Sequence, residues 1–439
     1  MNVGIIGAGA AGLAAAYDLV NEGHSATVYE SAPFVGGQAS TIEVGGAPLE
    51  RGYHHLFTND RAILDLMEEL GVDGSMRWIP SRVSTFANGT IYPFSTPLDL
   101  LRFKPLSFID RVKLGLLSLR LTRMKDWRSL EHLTAAQWIQ TEGTDGIYRH
   151  MWDPLLRGKF GKYHYRVGMP WLWAKFQTRV TSRKGMFGRE VLGYPEKSFD
   201  EVFEALVAHI ESNGGAVHLN TYVERILVEG NRATGLRFRR DGGEVIEESF
   251  DVVLATTPSF EFVKLVDLPG EYRKRVADIH YMAAVVLIFE MSHPLTDTYW
   301  MNIADDEVPF LGLIEQTNLM PVENYGGNYV LYLTNYLDRE DEMYKMSQDE
   351  LVAHYMPHLK KFNPDFDESW VKKIHYNAVS AAQPIIEAGY SARIPAHQTP
   401  IDRLWLANTT QIYPEDRGTN YSVRMGREVA RMMMLDMGD

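Results

Sequence analysis

The strongest constraint on the fold is a glycine-rich segment near the start of the chain, GAGAAG at residues 7–12. An apolar run over 3–6 precedes it and predicts a buried parallel strand, and an apolar stretch over 13–21 follows it and predicts a helix. A second strand is predicted over 26–29 and ends at Glu30. A strand, a glycine-rich turn, a helix and a second strand in this order are typical of a dinucleotide-binding unit.

Each glycine of this segment has its own role in such a unit. Gly7 permits a sharp turn, Gly9 lets the backbone approach a pyrophosphate, and Gly12 lets the helix pack closely on the strands. The first helical residues, Ala10 and Ala11, offer backbone N–H groups and a partial positive charge to the phosphates. The segment therefore predicts a phosphate-binding turn.

The acid that ends the second strand indicates which nucleotide is bound. Glu30 lies eighteen residues after Gly12, where a carboxylate can accept hydrogen bonds from ribose hydroxyls. Ser31 follows it and is assigned to the same contact. An acid here disfavours a 2′-phosphate, so NADP is not expected in this turn.

A second signature, PFVGGQAST at residues 33–41, contains the Gly36-Gly37 doublet shortly after the acid. It resembles the second flavin signature of the FAD-dependent amine oxidase superfamily, which includes protoporphyrinogen oxidases, phytoene desaturases and monoamine oxidases. The resemblance is to the branch of the protoporphyrinogen oxidases and phytoene desaturases, and it implies FAD as the cofactor, bound in part by Gly36, Gly37 and Gln38. Most members carry Arg or Lys where this chain has Gln38, so a charge contact is not expected there.

The resemblance continues near the C-terminus. A short strand ends before Asn408, where many members carry an acid. The neutral Asn408 can still hydrogen-bond cofactor hydroxyls, and Asp416, Arg417, Gly418 and Asn420 are expected to replace part of the missing carboxylate contact. A helix follows, and its N-terminus, with Asn420 and Tyr421, is expected at the pyrimidine edge of the flavin. The helix dipole there would stabilise negative charge on reduced flavin.

The resemblance implies an α/β fold with a three-layer, glutathione-reductase-like FAD-binding domain of Rossmann type and an interleaved α+β substrate domain. The FAD-binding domain is predicted to be discontinuous, over 1–90, 195–260 and 396–439. The substrate domain is predicted over 91–194 and 261–395.

Further elements are predicted within these domains. The resemblance implies that the backbone of Val223 contacts adenine and that Ala255 ends a strand that approaches the cofactor. Apolar or alternating runs over 283–291 and 329–337 predict strands of a mixed sheet in the substrate domain.

Tyr53, His54 and His55 are the candidates for the catalytic face of the flavin ring. Adjacent residues of a strand point to opposite faces, so at most one of the two histidines is expected to face the site. The alternative is a packed strand end with one solvent-facing His. The loop over 52–60 also resembles that of UDP-galactopyranose mutases, which use FAD without net redox.

Two tryptophan-rich segments between residues 152 and 179 carry Arg157, Lys159, Lys175 and Arg179. Bulky aromatic residues with a few cations suit a pocket for a large substrate that carries a carboxylate or phosphate. The alternative is a helix–helix core rich in tryptophan, with the cations on its surface.

Residues 98–130 hold eight basic and three acidic residues, interleaved with leucine and phenylalanine. One interpretation is a basic amphipathic surface that touches an anionic membrane. The other, which we favour from the sequence alone, is a helical cap with a solvated basic face.

Composition excludes several functions. The chain has no cysteine, so disulfides and cysteine-ligated metals are excluded, and no metal site is predicted. The net charge of −13 argues against nucleic acid as a partner. The longest apolar run, 281–289, is too short to span a bilayer. The first strand begins too early to leave room for a signal peptide, so a cytoplasmic protein is expected, with contact at the inner face of the membrane as an option.

The prediction for function is an FAD-dependent oxidoreductase of oxidase or desaturase type. It would transfer a hydride from a C–H bond of a medium-to-large, lipophilic small-molecule substrate to flavin N5. Two alternatives stay open: a flavin-dependent sugar-nucleotide mutase, and a non-catalytic flavin-binding or membrane-associated partner protein. The sequence does not determine the oligomeric state.

Overall fold

The structure, a computed structural model, describes residues 1–182 and 188–438. The strands are β1 Asn2–Ile6, β2 Ser25–Tyr29, β3 Thr41–Val44, β4 Ala47–Glu50, β5 Leu56–Phe57, β6 Met76–Pro80, β7 Val83–Ala87, β8 Thr90–Pro93, β9 Val191–Pro195, β10 Ala216–His218, β11 Thr221–Glu229, β12 Arg232–Arg240, β13 Val245–Ser249, β14 Val252–Ala255, β15 Tyr281–Met291, β16 Trp300–Ile303, β17 Gly312–Glu315, β18 Tyr329–Leu337, β19 Val371–Pro384 and β20 Leu404–Leu406. The α-helices are α1 Ala10–Asn21, α2 Arg61–Glu69, α3 Pro97–Arg102, α4 Phe108–Arg123, α5 Ala135–Glu142, α6 Asp145–Ile147, α7 Asp153–Phe160, α8 Met169–Thr181, α9 Asp200–Ser212, α10 Ser259–Leu265, α11 Gly270–Ala277, α12 Glu342–Lys345, α13 Gln348–Tyr355 and α14 Thr419–Met437.

A parallel five-stranded sheet positions the glycine-rich turn. Its strand order is β10-β2-β1-β14-β20, with β1 at the centre. The sheet joins distant parts of the chain: Gly4 pairs with Thr27 on one side and with Val253 on the other. The apolar run that predicted β1 is buried throughout, as a strand covered on both faces must be. The sheet confirms the predicted α/β fold of Rossmann type.

Helices α1 and α14 pack against each other on this sheet at backbone distance. A Cβ added to Gly426 of α14 would lie 2.2 Å from the carbonyl oxygen of Ala11 in α1. Only glycine permits this approach, so the C-terminal helix is held directly over the phosphate-binding helix.

A second, mixed sheet has seven strands in the order β19-β15-β18-β17-β16-β7-β8. Strands β15 and β18 lie where the apolar runs predicted them, and β15 is buried along its whole length. This sheet and the helices α3 to α8 enclose a second core, which includes Phe160, Trp171 and Tyr336.

Two predicted domain boundaries fall within groups of paired β-strands. The boundary at residue 90 cuts the hairpin of β7 and β8, and β7 pairs with β16 of the seven-stranded sheet. Strand β9, assigned to the substrate domain up to residue 194, instead pairs with β5 and β6. Both strands are placed by pairing with partners about a hundred or more residues away, which a local sequence pattern does not specify.

Among the described residues, no helix is both long enough and apolar enough to cross a bilayer.

Candidate active site

The glycine turn after β1 and the glycine doublet after β2 form one backbone cradle. The Gly36 N–H donates to the carbonyl oxygen of Ala8 at 2.9 Å. A Cβ on Gly37 would lie 3.1 Å from the Cα of Gly9, and one on Gly12 would lie 2.1 Å from the carbonyl oxygen of Gly7. The cradle thus depends on the absence of side chains, and it leaves room for a phosphate group at the start of α1.

The N-terminus of α1 is open to a ligand. Gly9 is its N-cap, and within the described part of the chain no side chain caps it. The N–H groups of Ala10 and Ala11 in the first turn therefore remain available to an anion, where the helix dipole favours negative charge.

Glu30 is held in place at the end of β2 by its own backbone surroundings. The Ala8 N–H donates to Oε2 at 2.9 Å, and the Ala32 N–H donates to Oε1 at 2.8 Å. The Ser31 hydroxyl also donates to Oε1, at 3.2 Å. A carboxylate fixed in this way retains lone pairs for ribose hydroxyls.

A cavity of about 500 Å³ opens beside this carboxylate. Ser31, Asn220, Tyr222 and Arg239 line it. Val223, buried in β11, lies next to Tyr222, and the strand has a bulge directly after Val223. The position suits the adenosine half of a dinucleotide.

Two predicted cofactor contacts have their side chains engaged within the protein. The Gln38 amide donates to the carbonyl oxygen of Ala381 in β19 at 2.9 Å. The Asn408 amide donates to the carbonyl oxygen of Thr257 at 2.9 Å and to the Ser259 hydroxyl at 3.2 Å.

The Asn408 side-chain oxygen is engaged as well, because it accepts from the backbone N–H and the hydroxyl of Thr410. The Asn408 side chain therefore joins the segment after β20 to Thr257 and Ser259, in the segment that follows the end of β14 at Ala255. That Asn408 hydrogen-bonds cofactor hydroxyls stays a prediction, and such a bond would require its side chain to give up a contact within the protein.

Helix α14 begins beside these strand ends. Its N-cap is Gly418, which supplies no side-chain cap. The Asn420 side-chain oxygen accepts from the Ile63 N–H at 3.2 Å and so caps α2. The Tyr421 hydroxyl lies 3.5 Å from the Thr178 hydroxyl of α8, which brings the end of α8 to the start of α14.

Residues 53–55 do not form a strand; they lie in the loop between β4 and β5. The argument from strand alternation therefore does not apply to the two histidines. His54 packs near Phe199, and His55 packs against Tyr299 and Trp300. Both histidines lie inside the protein, which corrects the alternative of a solvent-facing His.

Burial keeps both histidines neutral. The pKa of His54 is lowered to about 4 and that of His55 to about 3, mainly by burial and in smaller part by Arg417 near His54 and Arg179 near His55. The His54 Nδ1 lies 2.6 Å from the carbonyl oxygen of Gly52. Because a carbonyl only accepts, Nδ1 carries the proton and Nε2 of neutral His54 is an acceptor.

Tyr53 lies in the same interior region. Its ring meets Trp300 edge-on, with the ring centroids 4.7 Å apart, and burial raises its pKa well above the usual value. Its phenol therefore stays protonated at neutral pH and serves as a hydrogen-bonding group.

A charged cluster centres on Asp416. Its Oδ2 accepts from Lys159 of α7 at 2.7 Å and also from Lys175 of α8, and its Oδ1 accepts from the Trp171 indole at 2.9 Å. Burial alone would raise the pKa of Asp416, but Lys159 and Lys175 hold it well below its usual range. That Asp416 contacts the cofactor stays a prediction; in the structure its carboxylate accepts from two lysines and an indole.

The four predicted substrate anchors separate into two groups. Lys159, Lys175 and Arg179 lie together, and Arg179 is close enough to lower the pKa of both lysines. Arg157 points away: it pairs with Asp153 at 2.8 Å and Asp306 at 3.2 Å on the surface. Helix α7 turns the Arg157 side chain outward, two positions from Lys159, so its surroundings give no support to the predicted role as a substrate anchor.

The interior region also contains residues that the sequence did not single out. The Arg417 guanidinium donates to the Tyr336 hydroxyl at 2.9 Å, and Trp300 packs on Tyr53 and His55. Tyr336 lies in a sheet strand with no motif around it, so only the fold reveals its position. Within the described residues, no group of three His, Asp or Glu could hold a metal ion.

These parts define a flavoprotein of the dinucleotide-binding class. The glycine cradle, the open N-terminus of α1 and the fixed Glu30 fit the pyrophosphate and ribose of FAD. The neutral, partly uncovered side chains of residues 53–55 lie inside the protein, where a ring system could contact them.

Comparison with known proteins gives the family. Residues 10–433 match the model of the family described as flavin containing amine oxidoreductase, and the chain belongs to this family. A protein of Synechococcus elongatus named probable zeta-carotene desaturase is 26% identical, over 99% of this chain and 98% of its own. An oxidoreductase structure from Methanosarcina mazei matches with a TM-score of 0.74 and 20% identity, over all of both chains.

The structure of a reduced UDP-galactopyranose mutase matches with a TM-score of 0.75 and 16% identity, over 100% of this chain and 95% of that one. At this identity the likeness shows a shared fold only. The family match and the desaturase relatives do not favour the mutase or the non-catalytic alternative. The chain is an FAD-dependent oxidoreductase, as the glycine signatures predicted.

Proposed function

We propose that this enzyme oxidises a C–H bond of a lipophilic substrate that it takes from a membrane surface. The observation that carries the proposal is an exposed apolar face on α4. This helix packs against α8, which carries Lys175 and Arg179. The names of the carotene desaturases among its relatives support a lipophilic substrate.

Bound FAD would supply the hydride acceptor for this oxidation; the substrate would also release a proton, and the electrons would pass on to oxygen or another acceptor. In this proposal Tyr53, His54 and His55 line the reaction chamber. The neutral His54 offers an acceptor at Nε2, and Tyr53 offers a protonated phenol. Lys159, Lys175 and Arg179 bind the substrate.

The apolar face of α4 is unusually exposed. Phe108 is 66% exposed, Ile109 74% and Leu116 62%. Val112 and Leu119 continue the same face, at intervals of three or four residues. The opposite face of the helix is buried through Leu114, Leu117 and Leu121. A soluble surface seldom leaves several large apolar residues uncovered on one face, so this face suits contact with a bilayer.

Basic residues surround this face. Arg102, Lys104, Arg123 and Lys125 are exposed, and in the described parts of the chain none of them is paired with a carboxylate. Unpaired cations beside exposed apolar side chains are typical of a surface that binds anionic lipid.

Helix α8 connects this surface to the interior. The Gln177 amide donates to the carbonyl oxygens of Leu121 and Met124 at the end of α4, at 2.7 and 3.1 Å. The Trp173 indole donates to the same Met124 oxygen at 2.9 Å. Because Lys175 and Arg179 lie on α8, a substrate that enters along α4 would meet them next.

Vesicle flotation tests the membrane contact. The holoenzyme should float with vesicles that contain anionic lipid, and a Phe108→Asp/Ile109→Asp variant should remain in the soluble fraction. Leu435→Asp is the matched control, since Leu435 is 75% exposed on α14, away from this face. Flotation that is equal in all three proteins would refute the proposed contact.

Anaerobic mixing tests the chemistry. Lipophilic substrates supplied in vesicles should bleach the visible band of the oxidised flavin. Rapid recovery in air would identify an oxidase, and slow recovery would identify a desaturase that uses another acceptor. Bleaching by water-soluble amines alone would overturn the proposal of a lipophilic substrate.

A further inference from the structure

The charges around Asp416 are unbalanced. Lys159 and Lys175 share its carboxylate, and Arg179 and Arg417 lie near enough to act on the lysines electrostatically. Within residues 1–182 and 188–438, neither arginine has a carboxylate partner of its own. Four cations therefore surround one carboxylate in the interior of the protein.

An uncompensated interior cation is costly unless it meets an anion or strong acceptors. The Nε of Arg417 is buried and has no hydrogen-bond partner in the described structure. The Lys175 side chain is 37% exposed, so its ammonium is accessible to a ligand. The arrangement therefore provides an excess of positive charge, an accessible ammonium and an unpartnered guanidinium donor at one place.

This cluster is separate from the phosphate cradle. The cradle lies at the N-terminus of α1, whereas the cations come from α7, α8 and the segment that leads into α14. Their surroundings are aromatic: Lys159 lies 5.2 Å from the ring centroid of Trp171 and 5.6 Å from that of Tyr336. Carotenes are hydrocarbons with no ionisable group, so a carotene substrate would leave the four cations without a role.

We propose that Lys159, Lys175, Arg179 and Arg417 bind an anionic head group of the substrate, a carboxylate or a phosphate. Asp416 is then the resident counter-ion that holds both lysines in place. The substrate class is a lipophilic acid or lipid phosphate, with its anion beside α14 and its apolar part among the aromatic residues. This inference rests on the proposed function and specifies its substrate.

Three probes with the same isoprenoid tail test the proposal on the holoenzyme: farnesyl phosphate, farnesoic acid and farnesol. Binding is measured by calorimetry and by the change in the flavin spectrum. At least one anionic probe should bind about 10- to 100-fold more tightly than farnesol, the range for hydrogen bonds to charged groups. The probe with the larger gain identifies phosphate or carboxylate as the head group.

Arg179→Gln and Lys175→Met should each remove about 10-fold or more of that gain. Arg157→Gln is the matched control, because it removes a cation from the outward face of α7 and should leave the gain intact. Lys175→Met removes one of the two lysine partners of Asp416 and can impair folding. Arg179→Gln breaks no ion pair of the described structure, so it tests head-group binding without that risk. Flavin content is measured for every variant.

Equal affinity for farnesol and both anions would overturn the head-group proposal and leave the lipophilic substrate intact. An anionic gain that persists in Arg179→Gln and Lys175→Met would also overturn it. Failure of all three probes to bind, farnesol included, would instead count against the proposed function itself.

Discussion

At residue 12 a single methyl group decides whether the cofactor cradle can form. The Cβ of an alanine would lie 2.1 Å from the carbonyl oxygen of Gly7, which is backbone and cannot rotate away. We expect Gly12→Ala to lose most of its bound flavin and about 1–3 kcal/mol of stability, the usual cost of overpacking. The flavin absorbance per protein after gel filtration measures the loss.

Gly74→Ala is the control for this substitution, because a Cβ there meets no atom within 4 Å. It should retain flavin in full. Full retention in Gly12→Ala as well would show that the turn can shift without harm to the cradle.

The charge on Lys175 makes anion binding depend on pH. The pKa of Lys175 is lowered to about 8, mainly by burial and in smaller part by Lys159 and Arg179, while Asp416 opposes the shift. The ammonium is present below this pKa and is lost above it, so affinity for farnesoic acid should fall as the pH rises through about 8. The probe stays ionised over this range, because carboxylic acids titrate far lower.

The variant Lys175→Arg tests whether the Lys175 ammonium, and not another titrating group, causes this pH dependence. Arginine stays charged at every accessible pH, so the variant should lose the fall near pH 8 while it retains anion binding. Titration calorimetry from neutral to alkaline pH measures both proteins. An unchanged midpoint in the variant would assign the pH dependence to another group.

At the scale of elements, Glu50 at the end of β4 connects three parts of the fold. Its Oε2 accepts from the Tyr194 hydroxyl at 2.7 Å and its Oε1 from the Phe199 N–H at 2.8 Å, and its carbonyl oxygen accepts from Tyr332 of β18. Burial raises the pKa of this carboxyl to about 7, although both hydrogen bonds oppose the shift. The folded protein therefore holds a proton here that the unfolded chain releases near its ordinary pKa.

Because the folded pKa is raised, the stabilisation from this proton is complete below the unfolded pKa and is lost as the pH rises through about 7. The loss amounts to about 3 kcal/mol. Glu50→Gln, which cannot ionise, should reduce the fall in the free energy of unfolding between acidic and mildly alkaline pH. Urea unfolding at several pH values measures it.

Glu43→Gln in the adjacent strand β3 is the control, because Glu43 is exposed and should leave the pH dependence unchanged. Glu315, whose pKa burial also raises to about 7, will keep part of the slope in every variant. A slope in Glu50→Gln equal to that of the wild type would mean that Glu50 ionises without cost.

The sequence allowed prediction of those elements whose pattern lies within a few consecutive residues. The cradle glycines and the strands β15 and β18 were predictable because turn geometry and burial leave a mark within a few residues. The cation cluster was predictable only in part, since Asp416 lies 257 positions from Lys159 and its ion pairs depend on the fold. The outward direction of Arg157 depends on the rotation of α7, which no motif determines.

At the scale of the whole molecule, one segment has a charge opposite in sign to the net charge of the chain. The chain has a net charge of −13, yet residues 98–130 carry more basic than acidic residues. An acidic protein is repelled by anionic membranes except where such a segment faces them. The distribution would therefore orient the molecule with α3 and α4 toward the lipid.

This orientation leads to a prediction about the four unpaired bases. Replacement of Arg102, Lys104, Arg123 and Lys125 by glutamine should weaken binding to anionic vesicles by about 10³-fold at low salt, since each base near the surface contributes about 1 kcal/mol. Binding of the wild type should decrease steeply with salt as the Debye length shortens, and that of the variant should change little. Neutral vesicles are the control, because there only the apolar face of α4 acts and both proteins should bind equally. Equal binding of both proteins to anionic vesicles would mean that the basic residues are a solvated surface, the alternative that the sequence alone favoured.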